Sequence, residues 1–270
     1  MTGAMSTVSA ATGPDVSVVG VAASSVLIVI AAAISWRERL GIERSIAWAA
    51  IRATVQLLAI GSALGLVLAD DAPIAWAWAW VVAMVLIGGI VVSRRVPEVP
   101  GLLPLACGAI SVALGTSLAV VFGFGMYGLE PRTLVPTAGM LLGNGIGSTV
   151  LAARRTATAI DEHRDQVEVR LSLGQTGADA VRPHLRDALV TANTPQIEQT
   201  KIVGLIALPG TMTGLLLAGV DPLDAVLVQL AVMFLILGGV AITSVIVGRG
   251  VARLLITPDQ RLVRPRPTGG

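Results

Sequence analysis

An all-α, polytopic membrane protein is what this chain should form, with about seven transmembrane helices, its amino end outside and its carboxyl end in the cytoplasm. Three observations carry that expectation. The 270 residues are 54% hydrophobic and only 13% charged, with a mean hydropathy of +0.81, more apolar surface than one water-soluble core accommodates. The apolar residues fall in runs near the roughly 20 residues that cross about 30 Å of hydrocarbon. Positive charge is gathered on alternate connecting segments, as the positive-inside rule demands.

The runs are residues 16–35, 46–69, 74–93, 102–124, 135–153, 202–220 and 223–247. Arg37, Arg39 and Arg44 follow the first; Arg94 and Arg95 follow the third; six arginines lie in 154–186 and five in the tail from Arg249, while the opposite-side segments hold only Arg132. Trp36 and Trp48 mark the inner boundary and Trp76, Trp78 and Trp80 the outer, where aromatic belts form. Residues 1–15 are expected as an external tail, 16–248 as the transmembrane domain with a cytoplasmic loop at 154–187, and 249–270 as a cytoplasmic tail. Lys and Arg are absent before the first run and cluster after it, which argues against a signal peptide.

Several function classes are excluded. One cysteine, Cys107, forms no internal disulfide and no thiolate cluster within one chain. The single lysine, Lys201, is followed by Ile202, so no phosphate loop ending in Gly-Lys-Ser/Thr exists. The net charge of +2 comes without a basic run interleaved with aromatics, which speaks against nucleic acid. "GNGIG", residues 143–147, lies in a membrane run with no strand before it and is not a nucleotide loop.

The loop at 154–187 has helical periodicity. Ile160, Val167 and Leu171 share one stripe flanked by charges such as Glu168. Gly174 reads as a C-cap, and Thr176 with Asp179 as a capping box opening a second helix. Val181, Leu185, Ala188, Leu189 and Ala192 stripe that second helix, with Pro183 kinking it or delaying its start. Such a projection either docks a partner or packs on the protein's own inner surface.

Polar breaks mark candidate pathway positions. Arg52 and Gln56 share a face of the second run, where Arg52 either lines a path or snorkels to the interface. Asn144 interrupts the fifth run. Glu198 and Lys201, three apart, are placed to pair on one helical face. At mid-bilayer each charge costs about 2.5–3.5 kcal/mol, so they face the interior, a cavity or the interface; Glu198 is the one membrane-level metal-ligand candidate. Gly139, Gly143 and Gly147, like Gly210 and Gly214, form small-xxx-small faces for close helix packing. Pro209, central in "ALPGTMTG", should break its helix by removing the bond to the Leu205 carbonyl, leaving a hinge or pathway element or a static kink.

Four ordered motifs, "PTAGMLLGN", "EVRLSLGQTG", "VGLIALPGTMTGLLLAG" and "DPLDAVLVQ", resemble the FetB-type permease family of ABC transporters. That family is associated with iron export in bacteria, and has a plant branch linked to aluminium tolerance and connected with nucleotide-sugar transport. The family pattern falls on Arg52 and Gln56, on Pro136, Gly139, Met140, Gly143 and Asn144, on Leu171, Leu173 and Gly174, and on Gly204 through Gln229, including Leu208, Pro209, Gly210, Met212, Gly214, Gly219 and Pro222. Thr211 departs from it, since the family usually places Met there. The resemblance implies a multi-pass permease of the cell membrane that is not itself an enzyme. It binds no cofactor of its own, and ATP and Mg belong to a separate ATPase. It also implies a homodimer with two ATPase copies. Arg52, Gln56, Asn144, Pro209, Gly210, Met212 and Gln229, on which the family pattern falls, and the charged pair Glu198 and Lys201, read from the residues themselves, are the pathway candidates. Ile160, Val167, Glu168, Leu171, Leu173 and Gly174 would contact the ATPase; Glu168 and Gly174 echo a Glu-Ala-Ala-x-x-x-Gly coupling pattern, with Val169 and Arg170 in place of the alanines. An ion-coupled carrier using Glu198 and a non-transporting membrane assembly subunit are the alternatives.

Overall fold

The computed structural model describes residues 18–67, 73–257 and 259–263. The expected tail 1–15, residues 16–17 of the first apolar run, 68–69 of the second, and 258 and 264–270 of the carboxyl tail lie outside these residues. Among them the chain is helical throughout: α1 (Val18–Arg37), α2 (Glu43–Val67), α3 (Ile74–Arg95), α4 (Leu102–Gly123), α5 (Pro131–Glu162), α6 (Arg164–Ser172), α7 (Gly177–Ile202), α8 (Gly210–Leu217) and α9 (Pro222–Leu254). Five of them, α2 through α5 and α9, are long and apolar enough to cross a membrane, and α1 contributes a shorter apolar stretch at Ala22–Arg37.

The chain divides into two compact units. The first comprises Met1–Ala72 and Gly210–Ala225. In it α1 and α2 form a hairpin whose turn is tied by Ser35: this 1% exposed hydroxyl donates to Glu43 Oε1 at 3.0 Å and accepts from the Ile42 N–H at 3.3 Å. Trp36 and Trp48 stay outward, as interfacial indoles do.

The second unit, Pro73–Pro209 and Val226–Gly270, holds α3 to α7 and all but the first turn of α9. Pro131 starts α5 because a proline at the first turn lacks only an N–H that would be orphaned anyway. The Glu130 and Thr133 side chains complete a capping box there. At 32 and 33 residues, α5 and α9 are about 48–50 Å long, nearly 20 Å more than the hydrocarbon requires. At their basic ends α5 runs on past its apolar run through Arg154 and Arg155 to Glu162, and α9 through Arg249 and Arg253 to Leu254. The expected loop at 154–187 is therefore not a separate excursion: α5 runs unbroken to Glu162, and α7 returns from Gly177 and packs along α5.

Close packing falls on glycines other than those expected. A Cβ on Gly89 would collide with Cys107 Sγ, and one on Gly250 with Leu105, while one on Gly248 would lie 2.8 Å from Leu189. These three let α3 meet α4 and let α9 meet α4 and α7, the role small residues play in lipid, where apolar side chains gain little by leaving apolar solvent. Of the expected face, only Gly139 has a neighbour, Met84; Gly143, Gly147 and Gly214 have nothing within 4 Å. A cavity of about 30 Å³ between α4, α5 and α9 is lined in part by Ser117, Thr149 and Thr243, of which Thr149 and Thr243 bond back to carbonyls four residues earlier.

The expected run 202–220 is not one helix. α7 ends at Ile202, Gly204 takes φ +82°, and the Gly204 N–H donates to the Ala207 carbonyl at 3.0 Å, closing a tight turn. α8 then spans eight residues, about 12 Å. Pro209 thus does not kink a continuous helix at the Leu205 carbonyl. It stands immediately before α8, where its fixed φ and missing N–H cost little.

Candidate functional site

The basic pole of the second unit is an elbow, α5–α6–α7, and the local sequence builds it. α6 ends in a Schellman motif: Gly174 at φ +85° donates to the Leu171 carbonyl at 2.9 Å, and the Gln175 N–H to the Arg170 carbonyl at 3.1 Å. Two residues on, Thr176 Oγ1 accepts from the Asp179 N–H at 3.3 Å and donates to Asp179 Oδ2 at 2.7 Å: of the expected capping box the N-cap bond forms, while the Asp179 carboxylate takes the Thr176 hydroxyl in place of its backbone N–H. Pro183 and Pro195 sit inside α7 without ending it.

The apolar stripe of this elbow turns inward. Ile160 is 3% and Val167 0% exposed, so neither presents itself to a partner; both anchor the elbow to its own protein. Leu171 is half-buried and Gly174 exposed. The apolar side chains shown to solvent are Val169 and Leu173, at 60% and 77%, with Glu168 beside them held by Arg164 at 2.7 Å.

Against the buried face lies a pair of histidines from the expected loop at 154–187. The His163 and His184 rings stack with centroids 4.3 Å apart and planes 23° from parallel. His163 Nδ1 bonds the Ala159 carbonyl at 2.9 Å, whereas the buried His184 has no partner at Nε2. Burial, then the neighbouring His163 and Arg170, push the His184 pKa down, with Asp187 acting weakly in the other direction.

The outer face of α7 and the last turns of α9 enclose an open groove of about 1170 Å³. Arg182 and Arg186, four apart on α7, and Arg249 and Arg253, four apart on α9, line it, and Asp179 is the one carboxylate among the lining residues. Along the chain these arginines stand out only as topology charges; their paired i, i+4 spacing is the signal that each pair shares a face.

The expected pathway residues are spread over both units. In the first, Arg52 and Gln56 lie exposed one turn apart on α2, and Gly210 and Met212 open α8. In the second, Asn144 lies exposed on α5, its Nδ2 donating to the Met140 carbonyl at 2.8 Å. Glu198 and Lys201 do pair, Oε1 to Nζ 2.8 Å, at the exposed end of α7, just before the turn at Gly204. Gln229 on α9 is 3% exposed with Oε1 unpartnered. Among the described residues no group of three or more His, Cys, Asp or Glu stands close enough to hold a metal ion.

Comparison with known proteins gives the same class. Rice (Oryza sativa subsp. japonica) "UPF0014 membrane protein STAR2" is 34% identical over 83% of this chain and 78% of its own length. The Escherichia coli (strain K12) "Probable iron export permease protein FetB" is 30% identical over 82% and 85%, and Bacillus subtilis (strain 168) "UPF0014 membrane protein YjkA" 30% identical over 88% and 94%. No solved structure matches. A family model described as Uncharacterised protein family (UPF0014) matches residues 18–256. With its apolar helices and these relatives, the chain is a multi-pass membrane protein of the permease type, and it belongs to the UPF0014 family.

Proposed function

We propose that this permease is the membrane-spanning subunit of an ABC transporter, working as a homodimer with two copies of a separate ATPase that supplies the ATP and Mg chemistry, and that it exports iron or another metal. The likeness to a probable iron export permease over 85% of that protein's length carries the reading. The elbow supports it. α5 and α9 continue about 10–13 Å beyond their apolar runs as single helices, so a displacement at the elbow is transmitted as a lever motion rather than absorbed by a flexible loop. The turn at 203–209 is the natural pivot at the other end of α7. Orientation follows from the arginine asymmetry, with the elbow in the cytoplasm.

In this reading Arg52, Gln56, Asn144, Glu198, Lys201, Met212 and Gln229 face the route in the assembled dimer. A transported metal needs donors that bind weakly at several stations rather than one closed cage, and Glu198, held by Lys201 at 2.8 Å, offers one oxygen that is already partly neutralised.

The test is metal flux into inverted vesicles carrying the chain with its ATPase. Iron or another divalent metal should enter only with ATP, and Glu198→Gln should cut flux while leaving expression and ATPase binding near wild type. Flux that follows a pH gradient with the ATPase deleted would instead establish the ion-coupled carrier. Wild-type flux in Glu198→Gln would return that residue to the interface.

A further inference from the structure

We propose that the groove between α7 and α9 is a binding site for an anionic glycerophospholipid, its phosphate held by Arg182, Arg186, Arg249 and Arg253. The site is independent of the transported substrate. The four guanidinium groups are exposed and none makes an ion pair or hydrogen bond among the described residues. Four positive charges against the single carboxylate of Asp179 are therefore concentrated on two facing helix surfaces, an excess that favours an anion.

Polarity along the groove selects the kind of anion. α7 and α9 run antiparallel here: Gly177 lies against Ile256, and Gly248 against Leu185 and Leu189. Toward the membrane the lining is mainly apolar, with Val190, Ile197 and Val245, and the Asn193 and Thr194 side chains between them bond carbonyls of their own helix; toward the basic tip Thr176, Thr257 and Gln260 join Ile256. The arginines sit between, immediately past the apolar part of α9. An acyl chain followed by a phosphate and a polar headgroup has this same order. Val190 and Ile197 are 61% and 41% exposed, surface that a chain would cover. An acidic helix of a protein partner would meet the charge band but would have to lay polar backbone ends against the membrane-level apolar section, which disfavours it.

The full chain, purified in detergent, is titrated with phosphatidylglycerol and with phosphatidylcholine of identical acyl chains, and bound lipid is counted by native mass spectrometry; inorganic phosphate is a third arm. Phosphatidylglycerol should be retained in preference, and inorganic phosphate should neither bind nor displace it. Surface-bound lipid charge is worth about fivefold in affinity per arginine. Arg182→Gln with Arg186→Gln, or Arg249→Gln with Arg253→Gln, should each weaken retention roughly 30-fold. Arg94→Gln with Arg95→Gln, at the same pole but outside the groove, should leave retention unchanged. Val190→Asp, an exposed position whose change does not threaten folding, should also weaken it. Equal retention of both lipids, equal loss in the Arg94/Arg95 control, wild-type retention in Val190→Asp, or protection by phosphate alone would each overturn the proposal. So would loss of ATPase co-purification in the groove variants without any lipid effect, which would make the groove a protein interface.

Discussion

Leu173 and Val167 stand six residues apart at the elbow, yet their fates differ: one is 77% exposed and the other fully buried. If the elbow enters a cleft on the ATPase, Leu173 is the apolar side chain that is covered on docking. Burying a leucine is worth about 1.5–3 kcal/mol, so Leu173→Ser should weaken ATPase binding on the order of 10- to 100-fold. The thermal stability of the chain alone should stay near wild type, because the side chain touches little of its own protein. Val167→Ala should do the reverse. Removing two buried methyl-sized groups costs about 2 kcal/mol with the cavity included, lowering the stability of the elbow while leaving the docking surface in place. The assay pairs a binding titration against the purified ATPase with thermal unfolding of each variant. Wild-type ATPase affinity in Leu173→Ser would refute the docking of this face. A binding loss in Val167→Ala without a stability loss would refute the assignment of Val167 as an internal anchor.

Gly174→Val should destabilise the elbow by about 1–2 kcal/mol, since φ +85° puts a β-branched residue in the left-handed region; proteolysis of the 172–177 segment should accelerate, and unchanged cleavage rates would contradict the Schellman geometry. The lowered pKa of His184 means that the unfolded chain takes a proton before the folded one does. The stabilisation present above the ordinary value of about 6.5 is therefore lost as pH falls through the folded-state pKa. Local opening measured by hydrogen exchange should rise below pH 6.5, and His184→Gln should flatten that dependence. A reporter fused after residue 270 should be cytoplasmic and one in 126–132 external; finding both on one side would remove the orientation read from the arginines.

The features legible in the sequence are those set by neighbours along the chain. Hydropathy and run length identify the spans because lipid requires each segment to satisfy its own backbone. Thr176, Gly174 and the Glu198–Lys201 pair act over three or four residues: the structure shows the N-cap, the C-cap and the pair as read, with Asp179 bonding the Thr176 hydroxyl in place of the backbone N–H of a full capping box. What tertiary structure alone decided concerns faces. In a membrane both the packed side and the lipid side of a helix are apolar, so periodicity does not say which one meets a neighbour. That is why Gly89, Gly248 and Gly250 carry the close contacts while Gly143, Gly147 and Gly214 do not, and why Ile160 and Val167 point inward. The run 202–220 misleads for a related reason: hydropathy averages over the turn that Gly204 and Pro209 impose, and backbone geometry there overrides apolarity. The His163–His184 stack and the four-arginine groove join residues distant in sequence, and only the antiparallel return of α7 past α5 and α9 brings them together.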